Sequence, residues 1–206
     1  MKIGIIDYNN CNLYSIYETI KAIRSNVSII DSAKDIKNYD RLIIPGVGSA
    51  NSALKFLKEN GFIDEIREHY RNGKHILGIC LGMQLFFSTL HEHGQANGFG
   101  FFKSNIVPIK NIYNLTTNIG WRKIINTNSH KNLLKIKENS HFYFCHSYYA
   151  EIINEDKEFV LSELKKIPGV PSIISKDNIV GFQFHPEKSQ RNGIKLLENY
   201  FEKYDG

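Results

Sequence analysis

Ile76-Leu77-Gly78-Ile79-Cys80-Leu81-Gly82-Met83-Gln84 is the stretch that decides the fold. An apolar run suited to a buried strand enters Gly-x-Cys-x-Gly and continues into helix-forming residues. This is a strand–turn–helix signature with a candidate nucleophile on the turn. The glycines are there for steric reasons. A sharp turn drives the central residue into strained φ/ψ, and side chains beside it would collide with the adjoining strand and helix. A helix N-terminus next to the sulfur carries partial positive charge and favours thiolate. The Leu81 amide would then point to where an oxyanion forms. A buried structural cysteine in a glycine-flanked turn is the competing reading, since free cysteines are common core residues.

Towards the N-terminus, strands alternate with helices. Residues 3–6 form an apolar run ending in Asp7, followed by a polar turn over 8–12. Leu13, Ile16, Tyr17, Ile20 and Ile23 then recur at helical spacing. Further strands are expected at 27–30, 41–44 and 75–79, and helices at 49–60 and 62–72. Pro45-Gly46-Val47-Gly48 stops the third strand. Leu81 to Ser88 reads as the start of another helix. This alternation implies βαβ units and a parallel sheet.

After about Gly98 the texture changes. Short β-rich runs at 99–103, 121–125, 141–145, 159–164 and 172–174 are separated by turn residues. Residues 179–184 end the series, and 189–204 close it as a helix. The expectation is an α/β chain: a mainly parallel sheet flanked by helices, with antiparallel strands in the second half. One domain over residues 1–206 is the economical division, because no linker, low-complexity tract or repeat interrupts it.

Composition narrows the function classes. The 206 residues are 42% hydrophobic and 23% charged, ordinary values for a globular protein. No apolar run approaches the ~18 residues needed to span a bilayer. Residues 1–7 lack the basic start and small-residue cleavage site of a signal peptide, so a cytoplasmic location is expected. The cysteines, Cys11, Cys80 and Cys145, are far apart and form no CxxC pair, which suggests neither a disulfide framework nor a zinc knuckle. The formal charge is +5, but lysine and arginine never run longer than two. A solvated basic surface, or a patch for an acidic protein partner, fits better than a nucleic-acid footprint.

The second informative segment is Gly181-Phe182-Gln183-Phe184-His185-Pro186-Glu187. A strand delivers a histidine and, two residues on, a glutamate. Pro186 is expected to keep the chain extended, so both side chains lean to one side. Glu187 can then accept from one ring nitrogen of His185, leaving the other to exchange a proton with a sulfur. Alone, His-Pro-Glu reads as a surface turn. With the cysteine turn it completes a nucleophile, a base and an orienting carboxylate.

Gly-Ile-Cys-Leu-Gly-Met-Gln followed about a hundred residues later by Phe-His-Pro-Glu resembles the class I (triad) glutamine amidotransferases. Within them the chain is similar to the HisH family, the glutaminase subunits of imidazole glycerol phosphate synthase. The finer match is carried by residues 2–8, Asn12-Leu13, Pro45-Gly46-Val47-Gly48, Gly120-Trp121, Phe142 to Tyr149 and His185-Pro186-Glu187-Lys188-Ser189. It spans residue 2 to about residue 201.

That resemblance implies a flavodoxin-like fold and a glutaminase using Cys80, His185 and Glu187. It implies an oxyanion site from the amides near Val47 and Leu81. Gly46, Gly48, Gln84, Glu92, Ser147 and Tyr148 match positions that contact L-glutamine. No cofactor or metal is implied, and His91 and His93 beside Glu92 lack further ligands. Glu92 also reads as ordinary surface, and Cys145 and His146 as strand residues. Gly46-x-Gly48 is not a dinucleotide loop, because no third glycine opens the next helix. Asn12, Trp121, Tyr143 and Lys188 match positions facing a HisF-like (βα)₈ cyclase partner. A core tryptophan is the alternative for Trp121.

Three departures from the family pattern stand out: Asn9-Asn10-Cys11 replaces the usual glycines, Thr116-Thr117-Asn118-Ile119 replaces a Pro-His-Met run, and Arg122 replaces asparagine. They bear on the partner more than on the triad. The first expectation is therefore ammonia supply to a cyclase in histidine biosynthesis. The alternative is a HisH-like paralogue feeding an enzyme that modifies surface sugars, and a stand-alone γ-glutamyl hydrolase is a remoter one.

Overall fold

Four short apolar segments build the centre of the molecule. Their side chains alternate between two cores, so each strand reads as an unbroken hydrophobic run because both faces are covered. In the computed structural model, which describes residues 1–9, 12–112, 115–127, 134–137 and 140–204, the elements follow in order. They are β1 (Ile3–Ile6), α1 (Leu13–Ile23), β2 (Val27–Ile30), β3 (Arg41–Ile44), α2 (Ala50–Glu59), α3 (Phe62–Arg71), β4 (His75–Ile79) and α4 (Leu81–Gln84). Next come β5 (Phe87–Leu90), β6 (Ala96–Asn97), β7 (Phe102–Pro108), β8 (Asn118–Asn126) and β9 (His141–His146). The last are β10 (Tyr148–Glu151), β11 (Val160–Leu164), β12 (Ile167–Lys176), β13 (Ile179–Phe182) and α5 (Gln190–Tyr204).

Among the described residues a nine-stranded sheet runs in the order β2-β1-β3-β4-β13-β12-β11-β8-β9. Pairings from β2 to β13 are parallel, and those from β13 to β9 are antiparallel. The expected parallel first half and antiparallel second half are thus both present. Ile3, Ile5, Ile43, Leu77 and Ile79 face one core with α1 and α5. Ile6, Leu42, Ile44 and Ile76 face the other with α2 and α3.

A second sheet, which the sequence does not announce, packs into the same core as α2 and α3. Its four strands run in the order β10-β7-β5-β6. The helix expected over 81–88 stops at Gln84 for the same reason. The carbonyls of Leu85, Phe86 and Phe87, which a longer helix would use internally, accept instead from Phe99, Phe101 and Gly100. The strand expected at 99–103 accordingly starts only at Phe102, after a turn in which Gly100 has φ +74°. Pro186 does not keep the chain extended either: residues Pro186–Lys188 make one turn of 3₁₀ helix, closed by Lys188 N–H to the His185 carbonyl and Ser189 N–H to the Pro186 carbonyl. Proline at the first position of such a turn loses no hydrogen bond. Asn10 and Cys11 lie outside the described residues.

Candidate active site

The parallel strands end along one edge, and the predicted chemistry gathers there, as expected for open α/β sheets. β3 runs into Pro45–Gly48, β4 into Cys80, and β13 into His185 just past its end. Cys80 has φ +53° and ψ −106°, a conformation costly for any side-chain-bearing residue. The surroundings enforce it. A Cβ on Gly82 would stand 1.8 Å from the Ile44 carbonyl oxygen, so that glycine lets α4 press on the end of β3. A Cβ on Gly46 would stand 2.5 Å from Leu81 Cβ and 2.7 Å from Gly82 N. Tyr8 donates to the Pro45 carbonyl and pins the same turn from below.

Cys80 is buried, and its sulfur sits 3.8 Å from the Cys145 carbonyl oxygen and 3.9 Å from Gln183 Nε2, which donates to it. His185 is 2% exposed and lies close enough to Cys80 for the two to interact electrostatically. Its Nδ1 lies 2.8 Å from Glu187 Oε1, both side chains being buried. Burial alone would lower the pKa of the imidazolium. Attraction to Cys80, and then the hydrogen bond and charge of Glu187, together raise it to about 10. Nucleophile, imidazole and carboxylate are therefore gathered at one buried site, with imidazole and carboxylate in direct contact, although the turn holding Glu187 is not the expected one.

His185 and His146 are tuned in opposite directions. His146 is buried and its pKa is lowered to about 4, chiefly by burial and, through charge, by His185 and Arg122; a bond to the Tyr148 carbonyl works the other way. Ring-nitrogen NMR is expected to show His185 keeping its proton from pH 6 upward and losing it only as pH rises through about 10. A neutral His185 at pH 7 would contradict the ion-paired arrangement.

A cavity of about 240 Å³ opens beside the sulfur, lined by Val47, Gly48, Cys80, Leu81, Gln84, Glu92, Thr117, Ile119, Cys145, His146, Ser147 and Tyr148. Most predicted contact residues therefore share one small cavity, with Gly46 buried behind its wall. Gln84 donates from Nε2 to the Tyr148 carbonyl (3.0 Å) and to Gln183 Oε1 (3.1 Å), so what it can offer a ligand is its carbonyl oxygen. Glu92 is not idle surface. Its Oε2 accepts from the Ala50 amide at the start of α2 (2.6 Å), and its carbonyl accepts from Asn51 Nδ2. That fixes a carboxylate at the cavity rim beside Tyr148, whose phenol pKa is raised by burial and by the Glu92 charge.

Three site groups escape sequence reasoning: Gln183, His146 and Cys145. Cys145 is an exposed residue of the cavity wall, where the sequence suggests a structural role. Only cross-strand pairing, Ile119 with Cys145 and Asn118 with His146, brings the last two in, and no local motif marks it. Trp121, 42% exposed, is not a core residue; it lies edge-to-face on Tyr143 with ring centres 6.1 Å apart. Tyr143 is tied into the site: its carbonyl accepts from His185 N–H and its amide donates to Ser189 Oγ. Lys188 is on the same 3₁₀ turn as Glu187, and Asn12 is half-buried at the start of α1. A second cavity, about 740 Å³, adjoins Trp121 and is lined by Arg122, Lys123, His141, Lys165 and Lys166. Among the described residues, no group of three His, Cys, Asp or Glu side chains could hold a metal ion, and no helix is long and apolar enough to cross a membrane.

Comparison with known proteins identifies the family and the fold. The model of the family glutamine amidotransferase class-I matches residues 4–204. Imidazole glycerol phosphate synthase subunit HisH of Caldanaerobacter subterraneus is 40% identical, over 97% of this chain and 97% of its own length. Subunit HisH 1 of Campylobacter jejuni is 38% identical over 96% of this chain and 98% of its own. Among solved structures, PurLQS from Thermotoga maritima superposes with TM-score 0.78 at 17% identity, covering 98% of this chain and 97% of that one. At that identity it speaks for the fold alone.

Proposed function

Since this chain belongs to the class-I glutamine amidotransferases, and within them to the HisH subunits of imidazole glycerol phosphate synthase, we propose that Cys80, His185 and Glu187 carry its glutaminase reaction. The single observation that supports these roles best is the buried His185–Glu187 pair, 2.8 Å apart, acting on a buried Cys80 that lines a cavity of amino-acid size.

In this reading the Cys80 thiolate attacks the side-chain carboxamide carbon of L-glutamine. Amides near Leu81 and Val47 stabilise the tetrahedral oxyanion. His185, protonated at rest, gives its proton to the leaving ammonia and leaves a γ-glutamyl thioester. It then takes a proton from water, whose oxygen attacks the thioester and releases glutamate and the thiolate. Glu187 holds the ring in the orientation both steps need. Gly48, Gln84, Glu92, Ser147 and Tyr148 line the glutamine site, with Gly46 supporting the turn. The rim carboxylate of Glu92 suits the substrate's α-ammonium group. The strained Cys80 backbone keeps the sulfur out of the turn and facing the cavity.

Trp121, Tyr143, Lys188 and Asn12 form the face towards the cyclase subunit, which uses the ammonia in histidine biosynthesis in the cytoplasm. The basic cavity next to Trp121 suits an acidic stretch of that partner. Replacing Trp121 by alanine is expected to weaken association with the cyclase by roughly 30-fold, about 2 kcal/mol, measured by titration calorimetry.

The decisive experiment measures glutamate release by the chain alone and with the cyclase encoded beside it, with and without the cyclase's nucleotide ligand. It also tests rescue of a histidine auxotroph lacking its glutaminase subunit. Strong stimulation and rescue are expected. Soluble expression without either result would remove the histidine pathway and move the acceptor to a sugar-modifying enzyme.

A further inference from the structure

Arg122 and Asn118, two of the positions where this sequence departs from its family pattern, are joined to the active site by an unbroken series of hydrogen bonds. Arg122 folds back along β8, which Gly120 permits with φ +112°. Its Nε donates to Asn118 Oδ1 at 2.9 Å, and its terminal nitrogens donate to the carbonyls of Ile119 and Trp121. A guanidinium can only donate, so the oxygen of the Asn118 amide must face Arg122 and its NH₂ must face inward. That NH₂ lies 2.9 Å from His146 Nε2. Nε2 is therefore the acceptor, and the ring proton sits on Nδ1, 2.7 Å from the Tyr148 carbonyl. The same carbonyl accepts from Gln84, which donates also to Gln183, which donates to the Cys80 sulfur.

We propose that Arg122 is a positioning residue of the glutamine site: through the Asn118 amide it fixes which ring nitrogen of His146 carries the proton, and His146 then holds the Tyr148 carbonyl that anchors Gln84. Asn118 is fully buried and His146 nearly so, and an amide turned the wrong way would set two acceptors or two donors face to face. The charged groups acting on His146 are His185, beyond β13, and Arg122, on β8. The two share a sign, so both oppose a second proton on the ring.

The inference rests on the glutaminase reading of the cavity, but its test does not need turnover. In the full-length chain, with ring nitrogens labelled and His146 assigned by its loss in His146→Gln, the native protein is expected to show a neutral His146 protonated on Nδ1 at pH 6. In Arg122→Met the Asn118 amide loses the donor that orients it and turns its oxygen to the ring. His146 is then expected to gain a proton on Nε2 at pH 6, and KM for glutamine to rise roughly tenfold at pH 6 and less at pH 8, with kcat less affected. Asn118→Asp, which places an acceptor opposite Nε2 whatever Arg122 does, is expected to give a doubly protonated His146 at pH 7. A His146 that stays neutral and Nδ1-protonated in either variant overturns the proposal, whatever happens to activity. A native chain that hydrolyses no glutamine even with its partner would sink the glutaminase reading and leave the ring result standing.

Discussion

Cys80→Ala is expected to lower glutamate release from glutamine by roughly 10⁴- to 10⁶-fold, the scale seen when a nucleophile is removed from a triad that works as a unit. No other described thiol can stand in. Cys145, the other free cysteine among the described residues, is exposed and offers the site its backbone carbonyl, whereas the His185–Glu187 pair acts on Cys80. The variant should remain folded, because alanine removes one sulfur atom and keeps the same backbone geometry. Far-ultraviolet dichroism and the thermal midpoint check this, and glutamate release in the presence of the cyclase reads the chemistry. Release within tenfold of the native rate would show that Cys80 is not the nucleophile, and the γ-glutamyl thioester would go with it.

Gly82→Ala should do the opposite, harming the fold first and the chemistry as a result. Its new Cβ would lie 1.8 Å from the Ile44 carbonyl oxygen, 2.7 Å from the Ile44 carbonyl carbon and 3.0 Å from the Pro45 carbonyl oxygen. All three are backbone atoms, so no rotamer change relieves the contact. Either α4 lifts from the sheet or the Pro45–Gly48 turn shifts. A cost of roughly 3–5 kcal/mol is expected, lowering the melting midpoint by about 10 °C. Because that turn lines the glutamine cavity, the surviving folded fraction should also lose about a hundredfold in kcat/KM, the penalty of misplacing a reacting group by an ångström. A variant with native midpoint and native rate would mean that α4 and β3 do not hold the turn as described.

The two segments that announce the site in the sequence, residues 76–84 and 181–187, do so because their constraints are local. A tight turn needs glycines wherever it occurs, and a strand covered on both faces reads as an apolar run. The placement of β1 to β4 follows for the same reason. What stays hidden depends on distant partners. Phe86 and Phe87 look like helix continuation until the amides of Phe101 and Gly100 claim their carbonyls. Gln183 reads as one polar residue of a buried strand until Gln84, 99 positions away, reaches it. Pro186 reads as extended chain, yet it opens a turn, since its fixed φ suits both. His146 and Asn118 meet only through the β8–β9 register. The resemblance to a family supplies Glu92 and Trp121, which spacing leaves open.

The outer strands carry a different obligation. Ile119 and Trp121, two residues apart on β8, remain 52% and 42% exposed. Large apolar groups held open to solvent are sticky towards any chain that meets them. As a mating face they set the cell a problem of stoichiometry. Each copy made in excess of its partner displays an adhesive surface. Matched synthesis of the two subunits would thus protect solubility.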